Sequence, residues 1–268
     1  MRARRPKNLQ QSYERYGFWI ENDPASWSGS WHSFRNNSYA RVHIDLGCGK
    51  GGYAVEYAKL HPEDLVIGID SDDICVARCA ELAGAEDVAN CIFLLADATM
   101  LPALFLEGEA DSIIINFPTP LPRKKHAEQR LVHAKTLLLC RRSLSDSGCL
   151  RFKTDSKPLF DFSLTQFPLA GFEIVASTTA HDSSAAGDIE TLYEGRAKEL
   201  GADICMLEAK PTDIPIGADN NVPMSLVDYL PEDLDAMEYV PFGMEDTVFN
   251  IRNRRARQRR HQEKGRQA

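Results

Sequence analysis

From about residue 41 onward, short apolar runs rich in Val, Ile and Leu alternate with stretches of helical spacing. Residues 41–47 (R-V-H-I-D-L-G) predict a buried strand ending in glycines, and residues 52–60 predict a helix. Residues 65–70 and 74–83 repeat the pair, strand then helix. Strands follow at 91–96 and at 111–117 (D-S-I-I-I-N-F), then a helix at 126–142. A strand at 149–153, a helix at 159–167 and strands at 172–177 and 203–209 complete the pattern. Strands that alternate with helices demand crossover connections. The expected fold is therefore α/β, a doubly wound, mostly parallel seven-stranded sheet with helices on both faces. Ligands of such sheets bind at the carboxyl ends of the strands.

The flanks read differently. Residues 1–40 hold all three tryptophans (Trp19, Trp27 and Trp31) among polar residues, which predicts an N-terminal helix and loop packed on the core. The alternating region spans 41–210. Residues 211–268 form a C-terminal extension, Pro-rich and acidic at first and basic at its end, expected to be ordered only in part. The formal net charge of -8 argues against a polyanionic partner. The distribution reverses that argument. Residues 211–250 carry nine Asp/Glu and no Lys or Arg, whereas residues 251–268 carry eight Lys/Arg against one Glu. Arg2, Arg4, Arg5 and Lys7 make the other end basic too, so both ends could release counterions from a nucleic acid. Seven cysteines without a C-x-x-C pair predict reduced thiols rather than a disulfide framework or a metal site. No apolar run reaches membrane-spanning length and the Arg-rich start lacks a leader's apolar stretch, so a cytoplasmic protein is expected.

The first strand runs into Asp45-Leu46-Gly47-Cys48-Gly49-Lys50-Gly51-Gly52. Gly47, Gly49 and Gly51 let the backbone turn sharply and approach a ligand. Gly47, Gly49 and Gly52 also fit the G-x-G-x-x-G of nicotinamide enzymes, so the turn alone points only to an adenosyl cofactor. Three acids narrow the choice. Asp45 precedes the glycines, Asp70 ends the second strand, and Asp97-Ala98 ends the third. Such a row suits a sulfonium and an ammonium, and it repels a dinucleotide's pyrophosphate. S-adenosylmethionine is the cofactor that matches. A cap for the following helix is the alternative role of each acid.

The fourth strand leads into Asn116-Phe117-Pro118-Thr119-Pro120-Leu121-Pro122-Arg123-Lys124-Lys125-His126. Its three prolines pre-set a rigid turn at the mouth of the sheet, and the basic cluster is placed for phosphates. Further on stand Phe152-Lys153-Thr154-Asp155 and Thr191-Leu192-Tyr193-Glu194. With the G-x-G-K-G turn, these motifs resemble, in order and spacing up to about Ala209, the bacterial tRNA (guanine-N7)-methyltransferase family. That family carries N-F-[PS]-D-P-W-P-K-[KR]-R-H, F-K-T-D and T-x-[YF]-E at the corresponding places.

The resemblance implies a Rossmann-like class I methyltransferase fold and methyl transfer to N7 of a guanine in tRNA, in the variable loop. It places Asp45, Asp70 and Asp97 at cofactor-binding positions, with Gly47, Gly49, Gly51, Ala98 and Asn116 beside them. It places Arg123, Asp155, Thr191, Tyr193 and Glu194 on the substrate, with Asp155 and Thr119 at the catalytic positions. The chain departs from the pattern at Thr119, where the family has Asp, at Leu121, where it has Trp, and at Arg123, where it has Lys. The expected partner is tRNA, with no membrane and no metal, and the protein as a monomer or homodimer. Three other readings stay open on the residues: a tRNA-binding paralogue without activity, a methyltransferase for another RNA or a small molecule, and a nicotinamide-dependent oxidoreductase.

Overall fold

The computed structural model describes residues 9–186, 188–213 and 222–266. Seven strands are present among them: β1 (Arg41–Leu46), β2 (Asp64–Asp70), β3 (Cys91–Leu95), β4 (Ala110–Asn116), β5 (Leu144–Thr154), β6 (Phe172–Thr178) and β7 (Cys205–Pro211). They form one sheet in the order β3-β2-β1-β4-β5-β7-β6. Pairing is parallel from β3 to β5, and β7 runs antiparallel to both of its neighbours. The helices are α1 (Leu9–Arg15), α2 (Gly52–Leu60), α3 (Asp73–Ala85), α4 (Leu101–Leu104), α5 (Ala134–Ser143), α6 (Lys157–Leu169), α7 (Ser183–Ala186), α8 (Leu192–Glu199) and α9 (Glu245–Arg266).

Period-two alternation in the central strands divides the core into two layers. Val42, Ile44 and Leu46 join Leu137, Phe160 and Phe162 on one face. Val66, Phe93, Ala54, Val76 and Ala80 pack on the other. His43 and Asp45 point to this second face, so β1 is buried on both sides. Phe93 crosses β2 so closely that a Cβ at Gly68 would stand 2.5 Å from its ring.

The tryptophans bind the N-terminal segment to both layers. Trp31 is fully buried and donates its indole N–H to the Leu104 carbonyl at 2.7 Å, while Trp19 donates to the Val88 carbonyl at 2.8 Å. Ile20 bridges Phe93 and covers the β3 edge.

One expected element divides in two. The helix anticipated over 126–142 is a 3-10 turn (Lys124–Gln129) followed by α5. Arg130 between them is extended (φ -69°, ψ 134°), because its side chain is drawn into the loop that follows β4. His133 then caps α5 by accepting from the Lys135 N–H.

Candidate active site

The carboxyl ends of β1, β2, β3 and β4 surround a cleft of about 530 Å³. One wall is the glycine turn. Gly47 and Cys48 both donate their N–H to the Ile69 carbonyl, at 2.8 and 3.1 Å, and Gly49 donates to Asp70 Oδ2 at 2.9 Å. Gly47, Gly49 and Gly51 have φ of +79°, +56° and +78°, the left-handed region that glycine tolerates. Gly51 carries a second constraint, since a Cβ there would meet Cys79 Sγ at 2.9 Å and its Cα at 3.0 Å.

The three acids stand at successive strand ends, in unlike surroundings. Asp70 lines the cleft and takes backbone N–H bonds from Gly49 and Asp72, both at 2.9 Å. Two carboxylate oxygens offer about four acceptor sites, so capacity for a ligand's hydroxyls remains. Its pKa is raised, by burial against the opposing pull of those amides. Asp97 also lines the cleft, beside Ala98, and its Oδ1 caps the following turn through the Thr99 N–H at 2.8 Å. The cap and the cleft position coexist in one residue.

Asp45 lies beneath the cleft floor, 1% exposed, and neither carboxylate oxygen has a partner among the described residues. Burial pushes its pKa up to about 7, the Asp70 charge adds to this, and Lys153 opposes it. Asn116 is in the same condition, with both amide atoms buried and unpartnered. The register explains the grouping. Asp45 pairs with Ile114 and Asn116 with Lys153, so Asp45, Asn116 and Lys153 share one face across three adjacent strands. Buried groups of this kind are costly without a partner. An ammonium and a carboxylate would satisfy Asp45 and the Asn116 amide respectively.

The opposite wall is the loop after β4. Phe117 (φ +47°) and Leu121 (φ +48°) hold left-handed backbone without being glycine, at about 1–3 kcal/mol each. Phe117 donates its N–H to the Lys153 carbonyl at 2.8 Å, and Arg130 holds the Leu121 end. Its Nε donates to the Pro120 and Leu121 carbonyls at 3.1 and 3.2 Å, and its Nη2 donates to Leu121 at 2.9 Å. The guanidinium sits 4.5 Å above the Phe162 ring, with no carboxylate partner among the described residues. Burial lowers its pKa to about 10. Thr119 is exposed on the cleft's rim, and Arg123, Lys124 and Lys125 are exposed beyond it.

Asp155, 8% exposed at the end of β5, accepts at Oδ2 from the hydroxyls of Tyr193 (3.0 Å) and Tyr239 (2.5 Å). The Tyr193 ring lies 5.0 Å from that of Phe117. Thr191 serves as the N-cap of α8, accepting from the Glu194 N–H at 3.0 Å. Glu194 does not face the cleft. It is fully buried, bonded to Lys153 Nζ at 3.0 Å, to the Ser183 hydroxyl and to Lys198 Nζ at 3.3 Å. Lys153 also bonds Asp188 Oδ2 at 3.2 Å and the Ile189 carbonyl at 3.0 Å. The Glu194 carboxylate, expected at a substrate-binding position, is thus engaged by a buried lysine.

Three residues of the site lay outside the sequence reading. Lys153 had a signal, a lysine set between Phe152 and Thr154 near the end of a strand. Arg130 and Tyr239 had none. His61, Glu63 and Asp64 bring ligand-type atoms within 4.8 Å of one another, but at the far end of the sheet, where Arg41 pairs with Asp64 at 2.9 Å. No described helix is long and apolar enough to cross a membrane.

Comparison with known proteins agrees with this geometry. A family model described as "Putative methyltransferase" matches residues 39–207. The tRNA (guanine-N(7)-)-methyltransferase of Enterococcus faecalis is 33% identical over 211 residues, 78% of this chain and 98% of its own length. Proteins of the same name from Macrococcus caseolyticus (35%, over 63% of this chain and 81% of theirs) and Listeria monocytogenes (34%, 72% and 89%) are similar too. Among solved structures, a mutant 16S rRNA (adenine(1408)-N(1))-methyltransferase from Catenulisporales acidiphilia superposes with a TM-score of 0.52. It covers 73% of this chain and 94% of its own at 17% identity, a likeness of fold. The glycine turn, the row of strand-end acids and the residue 116–126 loop thus lie within the matched region, and the chain belongs to the bacterial tRNA (guanine-N7)-methyltransferase family.

Proposed function

We propose that this protein transfers a methyl group from S-adenosylmethionine to N7 of a guanine in tRNA, in the cytoplasm. The observation that carries the proposal is the unpartnered Asp45 carboxylate beneath the glycine turn, at the first of three successive strand ends that carry Asp45, Asp70 and Asp97. Asp45 and Asn116 would hold the methionine end of the cofactor, Asp70 the ribose hydroxyls, and Asp97 with Ala98 the adenine. When bound there, S-adenosylmethionine supplies an electrophilic methyl carbon on a positively charged sulfur.

Guanine N7 has an exposed lone pair and no proton to lose, so the residues opposite have no general-base task. Their work is placement. Asp155 accepts from the N1–H and exocyclic amine, a pattern that adenine lacks. Tyr193 and Phe117 offer ring surface to an extruded base, whose unstacking costs roughly a few kcal/mol. Arg123, Lys124 and Lys125 meet the phosphates around it. The Arg-rich sequence of α9 would add to the electrostatic attraction for tRNA.

The test is nucleoside mass spectrometry of bulk tRNA after incubation with methyl-labelled S-adenosylmethionine. Labelled N7-methylguanosine is expected, and replacing the variable-loop guanine should abolish it. Thr119, in place of the family's Asp, favours a second reading: a tRNA-binding protein without transfer. Tight tRNA and cofactor binding with no labelled nucleoside would establish that alternative.

A further inference from the structure

The family model ends at residue 207, so the C-terminal extension lies beyond the segment that it matches. It does not pack at random. Its stretch from residue 222 meets the loop after β4, where the Leu226 N–H donates to the Pro122 carbonyl at 3.0 Å. Arg130, which holds Pro120 and Leu121, donates its remaining Nη1 to the Met224 carbonyl at 2.9 Å. Further along, Gly243 (φ +83°) backs onto the loop itself. A Cβ there would lie 3.3 Å from Pro120 Cδ and 3.9 Å from Thr119 Cγ2. Met244 is fully buried beside Ser156, one residue past Asp155. Tyr239 joins Phe117 in an apolar cluster with Ala197, Ala202 and Ile204, and donates its hydroxyl to Asp155.

These contacts converge on the segment that departs from the family's pattern, residues 119–121, and on Asp155, the carboxylate that the proposed function assigns to the base. We propose that the extension is a wall of the guanine site and that Tyr239 is a positioning residue for Asp155, supplying order that the altered loop does not. The inference rests on the proposed guanine reading. Two phenols donating to the same Oδ2 fix the carboxylate plane and leave Oδ1 with neither of those bonds. Burial first, and then the charge of Asp155 and the hydrogen bond to it, hold both phenols well above their ordinary pKa, so they stay donors throughout the working range. A carboxylate held in one orientation presents the base with a set acceptor instead of a rotating one.

The test is a double-substitution cycle on the full chain with bulk tRNA: Tyr239→Phe, Asp155→Asn and the pair. Removing one hydrogen bond to a carboxylate should lower kcat/KM for tRNA about tenfold. The KM for S-adenosylmethionine should stay within about twofold, because the cofactor wall is untouched. With Asp155→Asn already present, Tyr239→Phe should cost less than about threefold. Equal costs in both backgrounds would reduce Tyr239 to a packing role and overturn the proposal. So would an unchanged Tyr239→Phe enzyme, and a faster one would make the extension a plug. Binding of tRNA, measured with S-adenosylhomocysteine present, runs alongside. A wild-type chain that binds tRNA without methylating it defeats the proposed reaction, and the cycle is then read in binding. One that does neither overturns both.

Discussion

The two walls of the cleft handle polar groups in opposite ways. On the glycine-turn side, Asp45 and Asn116 are buried with no partner among the described residues. On the guanine side the groups are already engaged: Asp155 by two tyrosines, Thr191 by an amide, and Glu194, which does not face the cleft, by Lys153. The first is a socket whose deficit a charged ligand removes. The second is a frame, set in place before any ligand arrives. A mobile polyanion that must turn out one base gains from a rigid receiver, whereas a small cation gains from unsatisfied groups that it alone can pair.

The strongest way to break this contrast is to empty the frame. Lys153→Met takes from Glu194 and Asp188 the buried cation that they share, leaving Lys198 and Arg151 at 3.3 and 3.5 Å, and should destabilise the fold by about 3 kcal/mol. Chemical denaturation reads it directly. A loss under about 1 kcal/mol would mean that the buried pair is not holding α8.

The next test acts on the socket through pH. Asp45 has a folded pKa of about 7, above its ordinary value of 3.8. A raised carboxyl stabilises the ligand-free fold fully below 3.8, and that contribution is lost as pH rises through 7. The affinity for a cation runs the other way. Calorimetry of S-adenosylmethionine should show binding weaken by about tenfold per pH unit below 7, since the carboxyl must first lose its proton. Asp45→Asn should flatten both profiles. A wild-type affinity that is constant from pH 5.5 to 7 would remove Asp45 from the cofactor's ammonium.

The smallest effect sharpens the comparison on the other wall. Thr119→Asp restores the family's carboxylate on an exposed rim, where little desolvation opposes it. A charged acceptor exceeds a hydroxyl by about 1–2 kcal/mol, so kcat/KM for tRNA should rise about tenfold. Unchanged or lower turnover would show that the loop and the extension already supply what the family's Asp does.

The sequence made the cofactor wall legible because its signals are local. A strand of period two, a run of glycines and an acid at each strand end occupy a few consecutive residues. Strands β1 to β4 accordingly lie within a residue of their expected bounds, whereas β5 begins five residues before its expected start at 149. The guanine wall depends on distance along the chain. Lys153 and Glu194 are 41 residues apart and Asp155 and Tyr239 are 84 apart, and no periodicity announces such a meeting. The break at Arg130 escaped for the same reason: helical spacing continues through it, and only the carbonyls of Pro120 and Leu121 explain why the backbone leaves the helix.

Arg130 also sets the grain at which this protein can be rebuilt. One guanidinium serves the loop and the extension together, so neither is a separable part. A graft that imports a relative's loop while keeping Arg130 and the native C-terminus changes both ends of a three-way joint. A graft that discards the extension strands a buried cation with one carbonyl missing. The natural cassette for transplanting guanine recognition from this scaffold is therefore discontinuous: residues 116–130 travel with 222–248 or not at all.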